Sequence, residues 1–326
     1  MKPELQQRGN EDRQSRRSRS ATRLALGPAI AVLVATIGGS IVTSQQFDGW
    51  QAPVSVDPGR LLVNTHVNDG CPIEAADGNT LVFASNRGGD LDIWVAYRAD
   101  EDAAWAEVER LPASVNRAGT NEFCPTPLPG GRLLFVSNRA SNCGGTPNAD
   151  IYITRQHPVF GWLEPQPLSC DINSVRDEFS PSLFDVNGVT TLYFSSDRDE
   201  ASEHKIYSSV RQPDGSWSPA APVHELNMAG ASDARPNVRK DGLEIVFDST
   251  RGGGLSQIYT ASRTSLDALW SIPEPVTAVN SPTAAQSRAS FSRDGSRLYF
   301  GSTRANVAGD TGGDIFVSAR TKQNGK

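Results

Sequence analysis

A tryptophan followed ten to fourteen residues later by an asparagine occurs five times in this chain: Trp50/Asn64, Trp105/Asn116, Trp162/Asn173, Trp217/Asn227 and Trp270/Asn280. The asparagines stand 52, 57, 54 and 53 residues apart. Self-similarity at this spacing constrains the fold more than any composition figure. The period matches one four-stranded blade of a ring-shaped all-β fold more closely than one coil of a solenoid.

Each period carries the same landmarks in the same order. A few residues past the asparagine stands an acid or amide: Asp69, Glu122, Glu178, Asp233 and Gln286. A short segment then leads to a tight turn at Asp77-Gly78, Gly130-Gly131, Asn187-Gly188, Asp241-Gly242 or Asp294-Gly295. These residues tolerate the positive φ that two-residue hairpins demand. The next segment is nearly continuous in apolar residues: LVFA from Leu81, LLFV from Leu133, LYFS from Leu192, IVFD from Ile245 and LYFG from Leu298. Such runs read as strands covered on both faces. Each closes on Ser-x-Arg, at Arg87, Arg139, Arg198, Arg251 and Arg304. A third strand pairs Ile with an aromatic residue, as in Ile93-Trp94 and Ile206-Tyr207, and the fourth starts at the tryptophan.

The last period ends after its third strand. The missing fourth strand exists at the other end, at about residues 50–56, beginning Trp50-Gln51-Ala52-Pro53-Val54. The predicted fold is therefore an all-β, five-bladed β-propeller over residues 50–322, closed by its own N-terminal strand so that no sheet edge stays open.

The order "dG-x-x-Leu-x-Phe-x-Ser-x-Arg…Asp-Ile-Tyr…Trp-x-x-Pro…Asn…Glu-x-x-Pro" resembles the WD40-like repeat of TolB-type propellers. It is clearest from Glu178-Phe179-Ser180-Pro181 through Ser196-Asp197-Arg198 to Trp217. The resemblance covers all five periods and implies the propeller fold and a place in the cell envelope, where such repeats also accompany peptidoglycan-binding domains. TolB's separate N-terminal domain has no counterpart here, so a Tol-system role does not carry over.

Charge is unevenly placed. Residues 1–23 hold seven basic residues and three acids, a net of +4; with −6 for the whole chain, the remainder carries −10. An acidic body argues against nucleic acid as a partner, because phosphate binding needs a basic footprint. Residues 24–43 hold no charge, enough for one bilayer-spanning helix, and the basic flank sets residues 1–23 as a cytoplasmic arm. The run reads as a retained anchor or as the core of a signal peptide, the anchor being favoured by its length; 44–49 form a linker. The propeller then lies outside the cytoplasm, tied to the membrane through the N-terminal segment, or is secreted if the segment is cleaved.

Antiparallel order within a blade sets the start of the first strand opposite the end of the second. That brings Asp69 near Arg87, Glu122 near Arg139, Glu178 near Arg198 and Asp233 near Arg251, all on one face of the disc. Gln286 breaks the series and leaves Arg304 without the partner seen in the other blades. Acid–Arg pairs of this kind chiefly pin the hairpin, yet the ring of Asp69, Glu122, Glu178, Asp233, Gln286, Arg87, Arg139, Arg198, Arg251 and Arg304 also marks the expected ligand-binding face. No metal is expected, since the arginines offset the acids and His66, His157, His204 and His224 lack ligand spacing. No nucleophile elbow or phosphate loop appears, and no cofactor or catalytic residue is expected.

The reading is thus of a non-enzymatic envelope scaffold that recognises a protein or cell-wall glycan through this face. The alternative is a glycoside hydrolase using the channel carboxylates, which a neighbouring arginine disfavours by holding a carboxyl's pKa down. Of the four cysteines, Cys143 and Cys170 fall on the same face of the second blade and are expected to form a disulfide. Cys71 and Cys124 occupy equivalent inner-strand positions, where side chains point the same way round the ring; a bond between them is disfavoured except close to the axis.

N-terminal sequencing of the mature protein is expected to begin before residue 24, with the protein in the membrane fraction. A start near residue 41 removes the anchor.

Overall fold

In the computed structural model, residues 46–144, 148–199, 202–304, 306 and 312–323 are described. The basic arm, the apolar run 24–43, and parts of the 140–149 and 305–313 loops lie outside these residues. The chain folds into five antiparallel sheets, one per period. The innermost strands are Asp69–Glu74, Glu122–Leu128, Glu178–Val186, Asp233–Val238 and Gln286–Phe291. Each pairs with a second strand, Thr80–Ser85, Arg132–Ser137, Val189–Ser196, Glu244–Ser249 or Arg297–Ser302. Third strands, beginning at Asp92, Asp150, Lys205, Gln257 and Asp314, carry short fourth strands outside them.

Ring closure follows the strand count made from sequence. Val54–Ser55 pairs antiparallel with Asp314–Ala319, Val54 opposite Val317 and Ser55 opposite Phe316. Asn64 then locks the junction, its side-chain carbonyl accepting from the Ile315 N–H (2.7 Å) and its amide donating to the Ile315 carbonyl (3.0 Å). The other four asparagines repeat this latch on the preceding blade: Asn116 on Ile93, Asn173 on Ile151, Asn227 on Ile206 and Asn280 on Ile258. Each asparagine ties an inter-blade linker to the third strand of the blade it has just left.

The apolar side chains sort into one layer between each pair of neighbouring blades rather than one central core. Leu133, Phe135 and Tyr152 meet Ile73, Val82 and Ile93 between the first two blades. Phe184, Tyr193 and Ile206 meet Ile245, Phe247 and Tyr259 between the third and fourth. Leu81 and Phe83 meet Tyr299 and Ile315 where the ring closes. The second strands are buried along nearly their whole length because both of their faces lie in such layers.

Each blade is pinned at one end by a node built on its arginine. Arg198 ion-pairs with Glu178 (3.1 Å), donates to the Ile172 carbonyl next to the Asn173 latch, and lies over the Phe194 and Tyr207 rings. Glu178 also accepts from the Ser196 hydroxyl (2.7 Å), the Ser174 hydroxyl (2.6 Å) and the Ser174 N–H (2.8 Å). Blade 5 builds the same node without an acid. Gln286 accepts from Ser302 (2.6 Å) and Arg304 (3.0 Å), and its amide donates to the Ala284 carbonyl. Arg304 lacks the acid of the other blades, as expected, yet is partnered, because an amide oxygen offers an acceptor in the place of a carboxylate.

Glu178→Gln should keep the Ser196 and Arg198 bonds but set its amide against the Ser174 N–H, costing about 1–2 kcal/mol. Glu178→Ala leaves the guanidinium without its anion and should cost about 3–5 kcal/mol. Urea unfolding of both variants checks the ranking, and equal losses overturn it.

Candidate functional site

The predicted face exists, but its acids are closed off. Asp69, Glu122, Glu178 and Asp233 are each fully buried. Their partners are those read from strand order: Arg87 (2.7 Å), Arg139 (3.1 Å), Arg198 (3.1 Å) and Arg251 (2.5 Å). The remaining carboxylate lone pairs take serine or threonine hydroxyls and turn N–H groups, as at Asp69 with Thr65 and Glu122 with Thr120, Ser137 and Arg117. Acids saturated in this way brace the blades and present no oxygen to a ligand or cation. No cluster of three or more metal-ligating side chains occurs among the described residues.

Asymmetry lies one step further in, on the axis. Every innermost strand contains a bulge whose residue adopts left-handed φ: Cys71 (50°), Cys124 (47°), Ser180 (56°), Arg235 (54°) and Arg288 (49°). Such angles are costly for non-glycine residues and persist where surrounding structure enforces them. Here the bulge turns one side chain per blade toward the channel, and the five side chains differ.

Cys71 and Cys124 form a disulfide between the first two blades. The sequence reading disfavoured this bond away from the axis; the bulges bring both residues to the axis, with their Cα atoms 4.8 Å apart. Cys143 and Cys170 form the second disulfide. Disulfides persist outside the reducing cytosol, so the chain belongs to a periplasmic or extracellular setting.

Arg235 ion-pairs with Asp248 (2.5 Å), which also accepts from the Ser256 hydroxyl (3.1 Å) and the Arg288 N–H (2.9 Å). Asp248 occupies the second-strand position filled by Ala84, Val136, Ser195 and Gly301 in the other blades. It is the sharpest break in the repeat, visible in the run IVFD, and the sequence reading passed over it because that run was taken only as a strand.

Arg235 and the Cys71–Cys124 cystine line a cavity of about 240 Å³ at the end of the channel nearest the arginine nodes, together with Gly70, Phe123 and Phe179 among others. The Phe123 and Phe179 rings meet at 5.6 Å, and Phe179 packs on His204 at 4.7 Å. Burial, aided by Arg235, lowers the pKa of His204, so this loop ring is neutral near pH 7. At the opposite end the channel widens into a funnel of about 950 Å³, with Arg132, Arg211, Trp217, Lys240 and Arg293 on its wall.

No protein-family model matches the chain, and no curated protein matches it in sequence. Solved structures do share its fold. The α-L-arabinofuranosidase of Podospora anserina, solved with cellotriose, aligns with a TM-score of 0.55 and 13% identity over 86% of this chain and 98% of its own. The endo-arabinase of Bacteroides thetaiotaomicron aligns with a TM-score of 0.53 and 14% identity over 86% of this chain and 100% of its own. A putative TolB from Agrobacterium tumefaciens aligns at 0.43, with 16% identity over 74% and 72%. The likeness to the first two is one of fold, and a specifically TolB-type kinship is not singled out. The expectation that the chain is not an enzyme is corrected by these likenesses: structures aligned along nearly their full length with it are glycoside hydrolases. Saturation of the ring acids bears on those residues alone and gave too narrow a ground for excluding catalysis.

At the start of the second blade's third strand, Asp150 is buried, has one carboxyl oxygen without a partner and shares a hydrogen bond with Glu178. Desolvation, with Asp177 adding, raises its pKa. A raised carboxyl pKa contributes stability that is full below the unfolded value, about 4, and is lost as pH rises through the folded value. Asp150→Asn is therefore expected to raise Tm at pH 8 and to lose that advantage near pH 4. An advantage independent of pH overturns the assignment.

Proposed function

We propose that this protein is a glycoside hydrolase of the cell envelope, acting on a wall glycan or related polysaccharide at the Arg235 end of the axial channel. The supporting observation is the uneven lining of that cavity. Phe123 and Phe179 offer apolar ring faces on which the C–H face of a sugar can rest. Arg235 offers a planar fork of donors to sugar hydroxyls. An active site needs unique groups in unique roles, and Asp248 and Arg235 are where this fivefold repeat departs from itself. Asp248 fixes the Arg235 fork through their 2.5 Å ion pair, its other acceptor positions being taken by Ser256 and the Arg288 N–H, so it positions the guanidinium and does not meet the sugar itself. The ring acids Asp69, Glu122, Glu178 and Asp233 take no part. The apolar run 24–43 would hold the protein at the membrane, close to the envelope glycan.

Full-length protein should release reducing sugar from a panel of purified cell-wall sacculi, arabinan and arabinoxylan. Asp248→Asn and Arg235→Ala should lower the turnover at least about 100-fold while Tm confirms folding. Binding without turnover by the wild type would sink hydrolysis. Turnover untouched by either variant would move the site away from the axial cavity.

A further inference from the structure

The five axial residues are not equally partnered. Cys71 and Cys124 are bonded to each other, and Arg235 has Asp248. Arg288 is fully buried, yet its Nε and Nη1 have no hydrogen-bond partner, and neither has the buried Ser180 hydroxyl. Only Nη2 of Arg288 is engaged, donating to the Pro125 carbonyl (3.3 Å) and to Thr126 Oγ1 (3.2 Å). Those acceptors belong to the second blade while Arg288 belongs to the fifth, so the guanidinium reaches across the ring. It sits between the residues lining the cavity at one end and those lining the funnel at the other.

Charge is also out of balance. The charged side chains acting on Arg288 are Arg235, which repels it, and Asp248. Asp248 gives one oxygen to Arg235 and Ser256, and the other to the backbone N–H of Arg288 rather than to its guanidinium. Two guanidinium groups therefore share a single carboxylate. Burial pulls the pKa of Arg288 down to about 9, which still leaves it charged at neutral pH. Nε and Nη1 are donors only, and a serine hydroxyl can donate. Water would satisfy hydrogen bonds but leave the excess charge in place, and buried charge is retained where it is paired.

We propose that the propeller axis binds a small anion, a halide or a carboxylate, at an unpartnered donor of the Arg288 guanidinium, Nη1 or Nε, with the Ser180 hydroxyl as an auxiliary donor. Arg235 adds long-range attraction from the cavity side. The anion has two sources of the same chemistry: a free inorganic ion held as part of the fold, or the carboxylate of an acidic sugar reaching in from the cavity. The inference does not depend on hydrolysis and stands if that reading fails.

The test uses the full-length chain with bromide as the probe. Crystals soaked in bromide should show an anomalous peak within hydrogen-bond distance of Arg288 Nη1 or Nε. In solution, Tm should rise with bromide at constant ionic strength, and Arg288→Met should abolish that dependence. Ser180→Ala, a milder change, should weaken the bromide response several-fold and serves if Arg288→Met does not fold. Displacement of the bromide peak by glucuronate identifies a sugar carboxylate as an occupant; a peak that glucuronate leaves in place identifies a free inorganic ion. Ordered water with no anomalous signal at Arg288 overturns the proposal. So does a peak that persists in Arg288→Met, which would be an adventitious ion only.

Discussion

The arginine that closes each second strand holds more of this molecule together than any apolar contact does singly. Arg198 touches the inner strand through Glu178, the linker through the Ile172 carbonyl, and the second and third strands through Phe194 and Tyr207. One planar, permanently charged group thus meets four parts of the chain in a single geometry, which lysine has no means to copy. Because the Asn173 latch stands next to Ile172, the same node sets where the next blade begins. Five such nodes give five blades a common angle, and a ring closes only if those angles agree.

This construction explains why the charges most conspicuous in the repeat are not its chemistry. A carboxylate that must brace a blade has to be saturated, because a buried charge with an empty lone pair is costly. Positions that the brace does not use stay free to vary. The inner-strand bulges are such positions: they add a residue without altering the ladder on either side and aim it at the axis. Repetition then supplies five equivalent places, and sequence divergence among them makes a cystine, a serine and two arginines around one channel.

Apolar and polar duties are segregated accordingly. Layers between blades carry the packing, while the axis is lined by sulfur, hydroxyl and guanidinium groups with a small apolar collar of Val136, Ala149, Phe123 and Phe179. Arg288 divides the channel into a small cavity and a wide funnel, so the two faces of the disc offer different chemistry. The smaller cavity has aromatic rings, a cystine and Arg235; the funnel has Trp217 and charged side chains of both signs.

Blade number, the closing strand, and each acid–Arg pair were legible in the sequence because they depend on local order: antiparallel neighbours fix which residue faces which. The Cys143–Cys170 bond followed from the same reasoning. What the tertiary structure decided is everything that depends on distance to the axis. Cys71 and Cys124 are 53 residues apart and equivalent by repeat, yet they bond because two bulges bring them to the centre. Arg288 meets Thr126 only because the ring is closed. A periodic sequence specifies how each blade is built; which five side chains meet in the middle is settled by closure, since only closure makes distant repeats neighbours.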